Sequence, residues 1–268
     1  MCGRYVIVSK VEVVEKKFSA KSEIIFEPNF NVSAGAMAPI ITSENPKKIQ
    51  LSHFGFTPSF AQKKTYLLNA RAEGDHNLEN RSDFTGAKGI IKKPYFRKAI
   101  RSQRCLVIAD AFIEGTSMNK LKEPYLVYLK DKIRPIAFAG IYDEWLDSTS
   151  GELFHNFAII TCPPNKLMTK IDHHRMPVIL PPEYYNDYLN LDAPLSDITS
   201  LLQSFPAQQM NAYKISPAIK SPKNNAKEFI QPVSEWVQPE KELKITNQID
   251  LFGMGESRAK RKRDDRNK

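Results

Sequence analysis

Cys2, in the opening run Met1-Cys2-Gly3-Arg4-Tyr5, carries the most distinctive chemistry in the chain. Loss of Met1 leaves a 1,2-aminothiol. Its amine has a reference pKa of roughly 7.7 to 8.0 and its thiol about 8.5, so both nucleophilic forms exist near neutral pH. Such a pair traps aldehydes: the amine condenses to an imine, and the thiolate closes on the imine carbon to give a five-membered thiazolidine. Taken alone, Cys2 equally fits a small residue in a frayed terminus, so the decision rests with the rest of the chain.

Three further stretches hold groups that could assist. In Y-L-L-N-A-R-A-E, residues 66 to 73, Asn69, Arg71 and Glu73 alternate; an extended backbone puts all three on one face, and a helix scatters them. The run from Cys105 to Ala109 reads as a buried strand, after which Asp110 and Glu114 emerge near Gly115, where acid or base work is placed. In D-H-H-R-M-P, residues 172 to 177, Pro177 biases Met176 to an extended conformation, so His173 and Arg175 share a face.

The elements that must position these groups follow from patterning. Ser9 and Glu12 form a capping box, and Val11, Val14 and Phe18 repeat at helical spacing, so a short helix is expected after an N-terminal strand, pinning the first residues to the body. Residues 26 to 41 read as an irregular passage into a strand, and 51 to 60 as a strand ending in a bend. Tyr125 to Leu129, Ile136 to Tyr142 and Phe154 to Thr161 are β-rich runs at short spacing, an antiparallel sheet curling towards a barrel. Helical turns are expected over 164 to 171, 182 to 191 and 196 to 205, then a strand around Ala212 to Ile215. The fold class is therefore α+β, one domain on a curved, largely antiparallel sheet with peripheral helices. It spans residues 1 to 236, and residues 237 to 268 form a flexible basic tail.

The 268 residues carry a net charge of +9, with 41% hydrophobic and 26% charged residues, enough for a real core and a balance that favours an anionic partner such as nucleic acid. No apolar run reaches the roughly 18 residues of a membrane helix, and the N-terminus lacks the apolar core of a secretory signal, so a cytoplasmic protein with no membrane partner is expected. Cys2, Cys105 and Cys162 make neither a C-x-x-C pair nor an even framework, and the five histidines include no H-E-x-x-H; no metal is expected. No G-x-G-x-x-G or G-x-x-x-x-G-K-[ST] appears, so no nucleotide cofactor is expected either.

In order, C-G-R-Y (2 to 5), N-A-R-A-E (69 to 73), R-C-L-V-I-A-D-A-F-I-E (104 to 114) and H-H-R-M-P (173 to 177) resemble the motifs of the SOS-response-associated peptidase family, also called abasic-site processing proteins. The resemblance covers residues 2 to 233. The family's H-x-R-M-P makes His173 its histidine and His174 the variable position. Phe54-Gly55-Phe56 with Pro58-Ser59-Phe60 is similar to its W-G-L-x-P-S-W segment, with phenylalanines for tryptophans. Where the family continues F-Y-E-W, this chain has Ile113 and Gly115 around Glu114.

The resemblance implies an abasic site in single-stranded DNA as substrate, captured at its C1′ aldehyde by Cys2 after methionine loss; a monomer is expected. It makes Glu114 the proton acceptor and relay, His173 the assistant in sugar ring opening, and Asn69 the residue that holds the crosslink. Arg4, Arg71, Arg97, Arg101, Arg104 and Arg175 become candidate DNA contacts; Phe54, Phe56 and Phe60 become candidate stacking surfaces. It also brings a second function, a peptidase in which Cys2 and Glu114 release Met1 or cut other proteins, and a possible lyase activity. A non-catalytic single-strand binding adaptor is the third reading. In the tail, Gln248-Ile249-Asp250-Leu251-Phe252 is similar to the bacterial sliding-clamp motif, with Gln248, Leu251 and Phe252 as its anchors.

Overall fold

A computed structural model describes residues 2 to 86, 88 to 131 and 133 to 239. The chain opens with β1 (Tyr5–Ile7), α1 (Val11–Phe18), β2 (Lys21–Ser22), β3 (Asn29–Val32), β4 (Met37–Thr42), β5 (Lys48–Phe54) and β6 (Asn69–Arg71). A short α2 (Ala99–Ser102) then leads into five long strands or strand pairs: β7 (Arg104–Ala109), β8 (Ala111–Thr116), β9 (Lys120–Leu129), β10 (Ile136–Leu146) and β11 (Leu153–Cys162). The remainder is α3 (Lys166–Lys170), β12 (Met176–Pro177), β13 (Ile179–Leu180), α4 (Tyr185–Leu189), α5 (Leu195–Ser200) and β14 (Met210–Lys214).

Two sheets organise these strands. One has the order β14-β9-β8-β1-β3. In the other, β4, β5, β11, β10 and β7 pair in a closed circuit, because β5 also pairs β11 in parallel at His53↔Asn156 and Phe54↔Phe157. Closure removes free strand edges and leaves an interior that side chains must fill. Phe54 stacks on Phe157 at 5.3 Å between ring centroids, and Tyr5 meets Phe54 and Phe138 edge-on. Strands buried on both faces read as continuous apolar runs, as Cys105 to Ala109 of β7 do, all of them buried.

The five-stranded sheet alternates. Tyr5, Ile7, Phe112 and Val127 face the main core, while Val6, Val8, Ala111, Ile113 and Leu126 form a second cluster with Ile219 and Ile230. The chain passes from the barrel to this sheet at Asp110, between β7 and β8. Among the described residues no helix is long and apolar enough to cross a membrane.

Three expectations are corrected. Ser9 does not cap α1: the N-cap is Lys10 with no side-chain cap, and the Ser9 hydroxyl instead donates to Asp110 Oδ1 at 2.5 Å. Residues 26 to 41 hold two strands, β3 and β4, rather than one. The body also runs past residue 236, since Val237 N donates to Ala212 O at 2.9 Å and Gln238 N to Asn211 Oδ1 at 3.0 Å. The clamp-like stretch at Gln248, Leu251 and Phe252 lies outside the described residues.

Candidate active site

Strand register sets the position of Cys2. Tyr5 pairs with Phe112 and Val6 with Ala111, and Ile113 N donates to Arg4 O at 2.9 Å, so the residues before β1 run antiparallel along β8 towards Glu114. Asp110 locks the other end of β1. Its carboxylate accepts from Val8 N at 2.6 Å, Ser9 N at 2.8 Å and the Ser9 hydroxyl, while its own N donates to Val6 O at 2.7 Å. Asp110 is therefore structural, and Glu114 alone of the two acids reaches the site.

Cys2 is fully buried. Burial pushes its thiol well above the ordinary range, and the neighbouring Glu114 carboxyl, within hydrogen-bonding reach, adds to the rise. Asn69, at the start of β6, is held by parallel pairing with Ile159 of β11. From there its Nδ2 donates to Cys2 O at 2.7 Å and to Leu68 O at 2.9 Å, and its buried Oδ1 has no hydrogen-bond partner among the described residues.

His173 arrives from the loop between α3 and β12. Asp172 takes a left-handed φ of 55° there, and His173 N donates to Met168 O at 2.9 Å, which ends the helical turn and swings the ring inward. Its Nδ1 lies 2.7 Å from Gly115 O and its Nε2 3.3 Å from Glu114 Oε2. A carbonyl only accepts, so Nδ1 carries the hydrogen. Burial raises Glu114 to about 7 and lowers His173 to about 4. Near neutral pH the carboxyl thus shares its proton with a neutral imidazole.

Glu114 and His173 open onto a cavity of about 380 Å³, lined also by Gly3, Arg4, Ser117, Lys120 and His174. Four stretches far apart in sequence, at residues 2, 69, 114 and 173, therefore meet at one place.

The cations separate into two groups. Arg4 lines the cavity, its guanidinium on Asn31 Oδ1 at 2.6 Å and Lys220 O at 2.5 Å. Arg71 is partly exposed, and Arg97 is exposed in an open depression with Lys92, Lys98 and Arg101. Arg104 and Arg175, by contrast, are each 1% exposed, so both are corrected as direct contacts. Arg104 donates to the carbonyls of Tyr188, Asn190, Ile100 and Arg101. Arg175 forms a two-pronged pair with Glu73 at 2.9 and 3.1 Å and also reaches Thr161. Glu73 thus turns away from the set expected with Asn69, and the pair joins the second and fourth motifs.

Phe54 and Phe56 are corrected as well: both are fully buried in the core and offer no surface for a base. Of the three phenylalanines only Phe60 is exposed, 59%, with Tyr95 beside it at 5.7 Å. Sequence patterning did not single out Ser117, Lys120, Thr161 or Tyr95, since each gains its meaning from a partner distant in sequence.

Residues 1 to 222 match the model of the family described as SOS response associated peptidase (SRAP). The abasic site processing protein YoqW of Bacillus subtilis is 33% identical over 240 residues, covering 86% of this chain and 99% of the relative. The abasic site processing protein YedK of Escherichia coli is 25% identical over 245 residues, covering 87% and 100%. A crystal structure of a protein from Bacteroides thetaiotaomicron superposes with a TM-score of 0.73 at 31% identity, covering 87% of this chain and all of that one.

Proposed function

This chain belongs to the SOS response associated peptidase family, and from that membership we propose that it captures abasic sites in single-stranded DNA through a covalent bond to Cys2. The observation that carries the proposal is the chain of contacts that joins Asn69 to Cys2, Cys2 to Glu114 and Glu114 to His173, the last two of which line one cavity. The relatives named for abasic-site processing support the substrate.

The chemistry begins with removal of Met1, which frees the α-amine of Cys2. That amine adds to the C1′ aldehyde of the ring-opened sugar. Glu114 takes a proton from the ammonium and returns it to the departing hydroxyl, so water leaves and an imine forms. A group titrating at about 7 serves both steps near neutral pH. The thiol then adds to the imine carbon, its proton passing by way of Glu114 to the imine nitrogen, and the thiazolidine closes with no oxidant required. His173, with Nδ1 committed to Gly115, turns Nε2 to Glu114 and assists ring opening by exchanging a proton with that carboxyl. Asn69 holds the Cys2 carbonyl through Nδ2 and has Oδ1 available for the adduct.

Arg4, Arg71, Arg97 and Arg101 are the accessible members of the proposed phosphate-binding set, and Phe60 with Tyr95 is the accessible aromatic pair. A general cysteine peptidase is less well supported, because an activated thiol needs a base such as an imidazole beside it. Here the groups near Cys2 raise its pKa, and His173 Nε2 faces Glu114. Self-removal of Met1 remains compatible with capture. We also propose a monomer acting in the cytoplasm at damaged DNA, with the tail at Gln248, Leu251 and Phe252 as a contact to the sliding clamp.

The test is a denaturing gel of the Met1-free protein with a single-stranded oligonucleotide bearing one abasic site. A shifted band is expected, and prior blocking of the aldehyde with methoxyamine should abolish it. An adaptor would bind the oligonucleotide yet leave no band.

A further inference from the structure

Two irregularities of the backbone converge on one exposed lysine at the wall of the cavity. Gly115 directly follows Glu114, and a Cβ there would lie 1.9 Å from Lys120 O and 2.0 Å from Lys120 C. Only glycine lets the strand after the turn come in this close. Across the gap Lys120 has a φ of 49°, in the left-handed region that glycine or asparagine favours over lysine. The register of β8 and β9 shifts between Gly115 and Thr116, so the turn is a bulged hairpin whose tip leans over the site.

That tip is fastened to the loop carrying His173. Ser117 N and Ser117 Oγ both donate to Asp172 O at 2.7 Å. With its one hydrogen committed, the Ser117 hydroxyl accepts from His174 Nδ1 at 3.2 Å, which fixes that tautomer as well. The hairpin tip is thus tied to the histidine loop, and Lys120 lies on the cavity that Arg4 and His174 also line. The Lys120 ammonium makes no hydrogen bond or ion pair among the described residues, and the partners of Arg4 are an amide and a carbonyl, neither of which cancels its charge. A residue in the left-handed region that places a solvated cation on this cavity is the kind of local irregularity that functional sites retain.

We infer that Lys120, presented by the Gly115 hairpin on the cavity that Arg4 also lines, binds a phosphodiester immediately flanking the lesion. This rests on the proposed capture of abasic sites but concerns binding, which can be measured separately. The chemistry that recognises the ligand is a single backbone phosphate next to the missing base. The phosphate on either side of the lesion could supply it, and the experiment distinguishes the two.

Equilibrium binding is measured with the full chain and a single-stranded oligonucleotide carrying one tetrahydrofuran site, which lacks the aldehyde and cannot crosslink. Lys120→Gly should bind several-fold more weakly, with a slope of log affinity against log salt shallower by about 0.7, the value for one phosphate contact on a single strand. Because glycine relieves the left-handed strain, the same variant should melt no lower than wild type; Lys120→Arg should keep the salt slope. A neutral methylphosphonate placed on one side of the lesion should weaken wild type and leave Lys120→Gly unaffected, which identifies the phosphate. An unchanged salt slope in Lys120→Gly overturns the inference, as does equal sensitivity of wild type and Lys120→Gly to methylphosphonates on both sides. Failure of the capture proposal would appear instead as wild type forming no denaturation-resistant adduct on a true abasic site, whatever the slopes.

Discussion

His173 faces Glu114 with its Nε2 3.3 Å from Oε2, while its Nδ1, 2.7 Å from Gly115 O, is committed as a donor. The two side chains therefore hold one proton between them, and burial places it on the carboxyl: Glu114 is raised to about 7 and His173 lowered to about 4. The pair is a proton reservoir next to Cys2.

Stability should record this pair with opposite signs. Glu114, raised from 4.5, contributes stability that is full below its unfolded value and is lost as pH rises through about 7. His173, lowered from 6.5, contributes stability present above that value and lost as pH falls through about 4. In wild type the slopes oppose each other between 4.5 and 6.5. Urea midpoints of Glu114→Gln should therefore rise with pH across 4 to 6.5, and those of His173→Gln should fall across 4.5 to 7, each by at most about 1.4 kcal/mol per pH unit. Equal slopes in the two variants would mean that the groups are not differently shifted.

The rate of adduct formation should rise with pH up to about 7 as Glu114 ionises, then level. Glu114→Gln should lose roughly 10²- to 10⁴-fold in rate and the rise with it, while still binding DNA. A Glu114→Gln enzyme that keeps the same inflection would assign it elsewhere.

Arg175 and Glu73 form a buried pair, 1% and 0% exposed, tying the second motif to the fourth. Arg175→Met leaves the carboxylate uncompensated and should cost about 3 to 5 kcal/mol in urea unfolding. Adding Glu73→Gln should recover most of that. Loss of DNA affinity in Arg175→Met without loss of stability would restore Arg175 as a direct contact.

Much of the fold was legible in the sequence. The apolar run of β7 and the closely spaced β9, β10 and β11 announced a curled sheet, whereas Cys2, Asn69, Glu114 and His173 were singled out by the resemblance of four ordered motifs rather than by their types alone. What patterning missed depends on partners far away. The Ser9 and Glu12 box fails as a cap because Asp110 takes the Ser9 hydroxyl. Arg104 looks like a surface cation until the Tyr188 and Asn190 carbonyls enclose it. β3 hides in an asparagine-rich stretch whose Asn31 side chain is spent on the carbonyls of Ile219, Ser221 and Asn224.

The three phenylalanines should separate by measurement. Phe54→Ala or Phe56→Ala should cost about 3 to 5 kcal/mol of stability, as expected for a cavity in the core. Phe60→Ala should change stability by no more than about 0.5 kcal/mol and weaken single-strand binding by about 1 to 3 kcal/mol, the value of one stacked base. Unchanged affinity in Phe60→Ala would remove it from the DNA surface.

The central claim is tested most directly by intact mass spectrometry of the product from Met1-free protein and an oligonucleotide with one abasic site, beside Cys2→Ala. The account predicts a species with the mass of protein plus DNA less one water, formed by wild type and absent from Cys2→Ala. With Met1 confirmed absent, no such species, or one that Cys2→Ala forms equally well, would contradict it.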